Sequence, residues 1–132
     1  MDLGAKAAGA NVIYANDIDT DSCATLKNTF PGASIHCSDI ADLVDFPSAD
    51  LVIGGYPCQS FSLGGNRDPE KDPRTKLYLH FVRCLKQVKP KFFVAENVSG
   101  LRGLKGGAFF QERFEQFRSQ GYNISVELIN AC

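Results

Sequence analysis

The stretch GGYPCQSFSLGG, residues 54–65, sets a single thiol, Cys58, behind a proline and between two glycine pairs, directly after the apolar run Leu51, Val52, Ile53. A cysteine delivered to a loop has few apolar neighbours to hold it as a core residue, so the chemistry to consider is that of a nucleophile. The attacking species is the thiolate. With an ordinary pKa near 8.5, only about 3% of a thiol is ionised at neutral pH, so a nearby positive charge or helix N-terminus must activate it. A second reactive group is Glu96, at the end of Phe92, Phe93, Val94, Ala95. Desolvation at the end of an apolar strand raises a carboxyl pKa and suits the group to hold or deliver a proton. A buried carboxylate paired with a lysine is the alternative reading of the same spacing.

Both groups require elements that bring them together. Apolar runs of strand length alternate with helical patterns, the signature of parallel βαβ units. Strands are expected over 11–18, 35–37, 51–54, 92–96 and 123–129. A helix is expected over 21–29, capped by Asp19 or Thr20 and closed before Pro31 and Gly32. Leu77, Phe81, Leu85 and Val88 repeat at helical spacing within 75–88, where Pro90 ends the helix, and Phe110, Phe114 and Phe117 mark another. Open parallel sheets bind ligands outside the carboxyl ends of their strands. Asp17 and Asp19, Asp39, Cys58, and Glu96 with Asn97 all fall at or just past such ends. For Asp19 a plain helix cap is the competing reading, and Cys23 and Cys84, on expected helices, read as inert core thiols.

Composition narrows the class. The 132 residues give room for one domain, with 44% hydrophobic and 22% charged residues, an ordinary globular balance. No apolar stretch is long enough for a membrane span, and no signal peptide pattern opens the chain, which points to the cytoplasm. Five cysteines, an odd number with no CxxC pair, argue against a disulfide framework or a zinc site. The net charge of −1 divides unevenly: residues 1–63 carry −6, residues 64–105 carry +6 and residues 106–132 carry −1. The basic middle segment includes Arg67, Arg74 and Lys76 and follows the cysteine loop. It reads either as a surface for a polyanion bound over that loop or as a solvated helix face.

The motifs GGYPCQSFS and AENVSG, about forty residues apart, with YANDID upstream, resemble those of the cytosine-5 DNA methyltransferases. The resemblance runs from DLGAKAAGA to ELINAC and implies a Rossmann-like α/β catalytic domain with a parallel sheet that uses S-adenosylmethionine. It implies that Cys58 adds to carbon 6 of a flipped-out cytosine and makes carbon 5 nucleophilic, that Glu96 contacts ring nitrogen 3 and the exocyclic amine, and that Asn97 supports the turn. The cofactor would meet Asp17 and Ile18 at its ribose and adenine, Asp39 and Ile40 at its adenine, and Pro57 and Leu77 along the same pocket. Asp17 stands where the family more often has Glu.

The partner implied is double-stranded DNA, as in restriction-modification, with Gln59, Ser62, Arg67 and Arg74 facing it and the glycines at 64 and 65 letting the loop close. A nucleoid-associated cytoplasmic protein is implied if the source is bacterial. The family's opening strand and Phe-x-Gly-x-Gly loop, its arginine-containing motif and its target recognition region have no counterpart here. A partial catalytic domain is therefore expected, with little activity alone and a tendency to pair with itself or with a complementary methyltransferase fragment. Competing readings are a transfer-RNA cytosine-5 methyltransferase, a non-catalytic relic that binds cofactor or nucleic acid, and a thiol hydrolase using His36 or His80 as base.

Overall fold

A computed structural model of the chain describes residues 1–56 and 76–130 and divides into two compact units, Met1–Ala49 and Asp50–Cys132. In the first unit, helix α1 (Asp2–Ala7) precedes strand β1 (Tyr14–Asp17), helix α2 (Thr20–Thr29) and strand β2 (Ser34–Cys37). The cap of α2 is Asp19, whose carboxylate accepts from the Ser22 N–H at 2.7 Å. This satisfies one of the amides that the first helical turn leaves without a partner. The helix ends at Phe30, just ahead of Pro31 and Gly32. β1 and β2 pair in parallel, with Asp17 opposite Cys37. Asn16 ties the pair further, donating to the carbonyls of His36 at 3.0 Å and Ser38 at 2.9 Å. Cys23 and Phe30 are the buried apolar residues of this unit.

The second unit repeats the pattern with strand β3 (Leu51–Gly55), helix α3 (Leu77–Val88) and strand β4 (Phe92–Glu96), then two 3-10 turns and helix α4 (Ala108–Arg118). β3 and β4 are parallel neighbours, with Leu51 opposite Phe92 and Gly55 opposite Glu96. The core is Tyr78, Phe81, Val82 and Leu85 of α3 with Phe117 of α4. Val52 and Tyr56, and Phe93 and Ala95, pack against it at alternate positions, as the two-residue repeat of a strand requires. α3 ends at Lys89, whose φ of 49° turns the chain into the left-handed region immediately before Pro90. Tyr122 O–H donates to the Pro90 carbonyl at 2.8 Å, which pins the segment after α4 to this corner.

Three expectations are corrected. The segment 123–129 alternates apolar and polar residues but forms no strand, because no neighbouring strand among the described residues pairs with its backbone. Leu128 and Ile129 are accordingly exposed. The apolar run of β4 is covered on one side only, since Phe92, Val94 and Glu96 fall on the face away from α3 and are exposed. The first strand is also shorter than expected, beginning at Tyr14 rather than at residue 11.

β3 lies close under α3 at one point. A Cβ built on Gly54 would stand 2.5 Å from the ring carbons of Phe81, closer than carbon atoms can approach. Phe81 is held between Phe93 and Phe117, with ring centroids at 6.1 and 5.9 Å, so its ring has little room to retreat. Gly54→Ala is therefore expected to destabilise the protein by about 1–3 kcal/mol through overpacking, read as a lower denaturant midpoint. Adding Phe81→Leu in the same chain should recover part of the loss.

Candidate active site

The ends of β1 and β2 lie side by side, and Ser38 N–H donates to the Asp17 carbonyl at 3.0 Å. The acidic side chains here serve local turns: Asp17 Oδ1 accepts from Asp19 N–H at 2.9 Å, and Asp39 Oδ1 from Ala41 N–H at 2.8 Å. Each carboxylate has a second oxygen and further lone pairs with which to accept from a ligand hydroxyl or amine. Ile18, between two acids, is 68% exposed, while Ile40 is half-buried. An open groove of about 490 Å³ passes this edge, and Asp2, Asp17, Asp19 and Asp21 give it a negative lining. Such a lining attracts cations and repels phosphate.

In the second unit, Glu96 closes β4 and is exposed. The desolvation expected for it is not met, because its place in the strand repeat puts it on the open face; the reading as a buried carboxylate fails for the same reason. Asn97 bridges the two strand exits: Nδ2 donates to the Tyr56 carbonyl at 3.0 Å, and Oδ1 accepts from Val98 N–H at 2.9 Å. Pro57, Cys58, Gln59, Ser62, Arg67 and Arg74 lie outside the described residues. The last described residue before them, Tyr56, is two positions from Cys58 and next to Gly55, the partner of Glu96. Leu77 is the first residue of α3. His36 is engaged locally on β2, with Nε2 at 3.0 Å from Ser34 Oγ and its ring 4.8 Å from that of Tyr14.

Sequence reasoning missed a polar cluster behind this edge. Arg113 is 2% exposed, and its guanidinium stacks 4.3 Å from the Tyr78 ring. Tyr78 O–H donates to Glu112 Oε1 at 2.6 Å. Burial, and then this bond, push the Tyr78 phenol up to about 12, so it stays a donor at any physiological pH. The available signal was spacing: Arg113 lies three residues after Phe110 and four before Phe117, on the apolar stripe of α4.

These observations define an α/β protein whose parallel strand pairs carry acidic and amide side chains at their carboxyl ends. The C-5 cytosine-specific DNA methylase family matches residues 1–132, and the chain belongs to that family. It is 46% identical to the Type II methyltransferase M.BspRI of Lysinibacillus sphaericus, over 92% of this chain and 28% of that protein. It is 36% identical to the Type II methyltransferase M.FnuDI of Fusobacterium nucleatum, over 99% of this chain and 38% of that protein. A crystal structure described as a DNA modification methyltransferase encoded within an E. coli prophage superimposes with a TM-score of 0.71 at 32% identity, covering 89% of this chain and 34% of that one. The chain thus spans about a third of the length of these relatives.

Two predictions follow from the thiols and the cap. The Cys23 thiol is pushed up to about 11, first by its hydrogen bond with Cys37 and then by burial, and burial pushes Cys84 up to about 11. Both should be alkylated by iodoacetamide at neutral pH on the order of a hundredfold more slowly than an unhindered thiol, as counted by peptide mass spectrometry. Asp19 is held below its ordinary 3.8 by the Ser22 amide. Its contribution to stability is therefore complete above the unfolded-state value and is lost as pH falls through the lowered folded value. Asparagine caps without a charge, so the difference in melting temperature between wild type and Asp19→Asn should shrink below about pH 4.

Proposed function

We propose that this chain forms the catalytic portion of a DNA (cytosine-5) methyltransferase, with S-adenosylmethionine as methyl donor and double-stranded DNA as substrate. The observation that carries this reading is the parallel pairing of β3 with β4, which sets Gly55 beside Glu96 at the strand exit that leads in sequence to Cys58. Parallel strands leave by the same edge, so a thiol following one would share that edge with a carboxyl ending the other.

The groove's aspartates suit a sulfonium charge and its Asp17 a ribose hydroxyl, while Asp39 at the neighbouring exit would accept from the adenine amine and Ile18 and Ile40 would meet the adenine ring. Pro57 and Leu77 would complete the adenine side. Bound there, S-adenosylmethionine supplies an electrophilic methyl group.

The chain's own residues do the rest. Cys58 attacks carbon 6 of the cytosine, forming a carbon–sulfur bond and moving the ring electrons toward carbon 5. Glu96, exposed at the strand end, holds the proton at ring nitrogen 3 and accepts from the exocyclic amine, so that the electron-rich adduct is stabilised. Once carbon 5 carries the methyl group, water takes the carbon 5 proton, the electron pair of that bond re-forms the double bond between carbons 5 and 6, and the Cys58 sulfur leaves as thiolate. Asn97 keeps the Glu96 turn joined to the Tyr56 carbonyl.

A cytosine in a duplex is reached only by flipping it out of the stack. Gln59 and Ser62 would face the opened duplex, while Arg67 and Arg74 would lie along its phosphates. A cytoplasmic, nucleoid-associated setting accords with the bacterial relatives, and no helix among the described residues is long and apolar enough to cross a membrane. Exposed Phe92 and Val94 accord with pairing to a second copy or a complementary methyltransferase segment, and sedimentation as a stable monomer would count against it.

Duplex DNA carrying 5-fluorocytosine, incubated with the protein, S-adenosylmethionine and the remaining two thirds of a relative supplied in trans, should give a covalent adduct at Cys58, because fluorine cannot leave as the proton does. Cys58→Ala should abolish the adduct, and Glu96→Gln should slow its formation by about 10²–10⁴-fold. A transfer-RNA substrate that traps the protein while DNA does not would overturn the choice of nucleic acid. Absence of any adduct when the remaining two thirds of a relative is supplied in trans would overturn the enzymatic reading.

A further inference from the structure

A buried arginine on an apolar helix stripe calls for a reason, because an uncharged side chain of similar volume usually packs there at equal or better stability. Arg113 occupies such a place on α4. Its guanidinium lies 4.3 Å from the Tyr78 ring and 5.3 Å from that of Phe109, and Nη1 donates to the Phe109 carbonyl at 2.9 Å. The neighbouring Glu112 takes the Tyr78 hydroxyl at 2.6 Å. Two successive residues of α4 therefore grip one tyrosine, by its face and by its edge. Tyr78 in turn packs on Tyr56, with ring centroids 6.2 Å apart.

Tyr56 is where this grip reaches the strand exit. Its carbonyl is held by Asn97, and its ring packs on the core beside α3. Burial raises the Tyr56 phenol, while the Arg113 cation pulls it down and the Glu96 carboxylate pushes it up. We propose that Arg113 is a positioning residue, which fixes the Tyr78–Tyr56 pair so that β3 leaves the sheet in one conformation beside Glu96 and Asn97. The catalytic value of that placement rests on the reading of Cys58, two residues beyond Tyr56, as the nucleophile.

The test compares Arg113→Met and Arg113→Lys in the full chain by amide hydrogen exchange and by titration of labelled tyrosine followed by NMR. With Arg113→Met, exchange in peptides covering residues 53–56 and 97–98 should rise on the order of tenfold while peptides from β1 and β2 stay unchanged. The Tyr56 phenol should then titrate at higher pH, having lost its nearby cation. Arg113→Lys, which keeps a charge and a donor, should return both readouts most of the way. Unchanged exchange at the β3 exit, or an equal rise in every peptide, would overturn the proposal. If Arg113→Met does not fold, Tyr78→Phe carries the test: it keeps the ring but frees it from Glu112, and it too should loosen residues 53–56 alone, with no local change counting against the proposal. Neither readout requires methyl transfer, so failure of the trapping experiment and failure of this inference are told apart.

Discussion

A parallel ladder obliges its two strands to leave the sheet by the same edge. β1 with β2, and β3 with β4, are both joined in this way, and every residue given a chemical part in the described structure sits at or just past a strand exit, at the helix that follows it, or behind it. Antiparallel pairing of the same strands would send Asp17 and Asp39, or Gly55 and Glu96, to opposite ends. The covering helices are what make the parallel arrangement affordable, since the strands alone could not bury a face. α3 serves β3 and β4 directly, through Phe81 and Leu85 against Val52 and Phe93.

That coverage shapes the exit as much as it stabilises the sheet. Phe81 lies so close to β3 that only glycine fits at position 54, and the next core-facing position, 56, is a tyrosine. The aromatic contacts continue from Tyr56 to Tyr78, and from Phe81 to Phe93, Phe117 and Tyr122. Edge-on and tilted ring pairs of this kind contribute roughly 0.5–1.5 kcal/mol each beyond the area they bury, and they favour one relative orientation. A strand end packed this way is held more tightly than backbone hydrogen bonding alone would hold it. Asn97 then couples the same point to β4 through the Tyr56 carbonyl.

Much of this was legible in the sequence because it rests on local signals. The α2 cap, the stop of α3 before Pro90 and the extent of β4 follow from residue types within one turn of the feature they set. The burial of Cys23 and Cys84 follows from their places on helices. The errors came where a neighbour decides. Alternation at 123–129 describes a backbone able to pair and is silent on whether a partner strand lies beside it. The run Phe92–Ala95 reads as continuously apolar, yet its burial depends on what covers each face, and only one face packs on α3. Arg113 was invisible because a single charge on a helix reads as a solvated position until the packing around it is known.

The two units also divide the electrostatics. The first is strongly acidic, and its aspartates line the groove beside the β1 exit. The second carries most of the basic residues, some of them spent locally: Lys91 pairs with Asp50 at 2.9 Å, and Arg113 is sealed among aromatics. Such a division accords with the proposed pairing of a small cationic cofactor with a polyanionic substrate. Acid at one exit attracts the first and repels phosphate, while lysine and arginine do the reverse. Net charge near zero conceals this division, because the charges of the two units cancel in the sum.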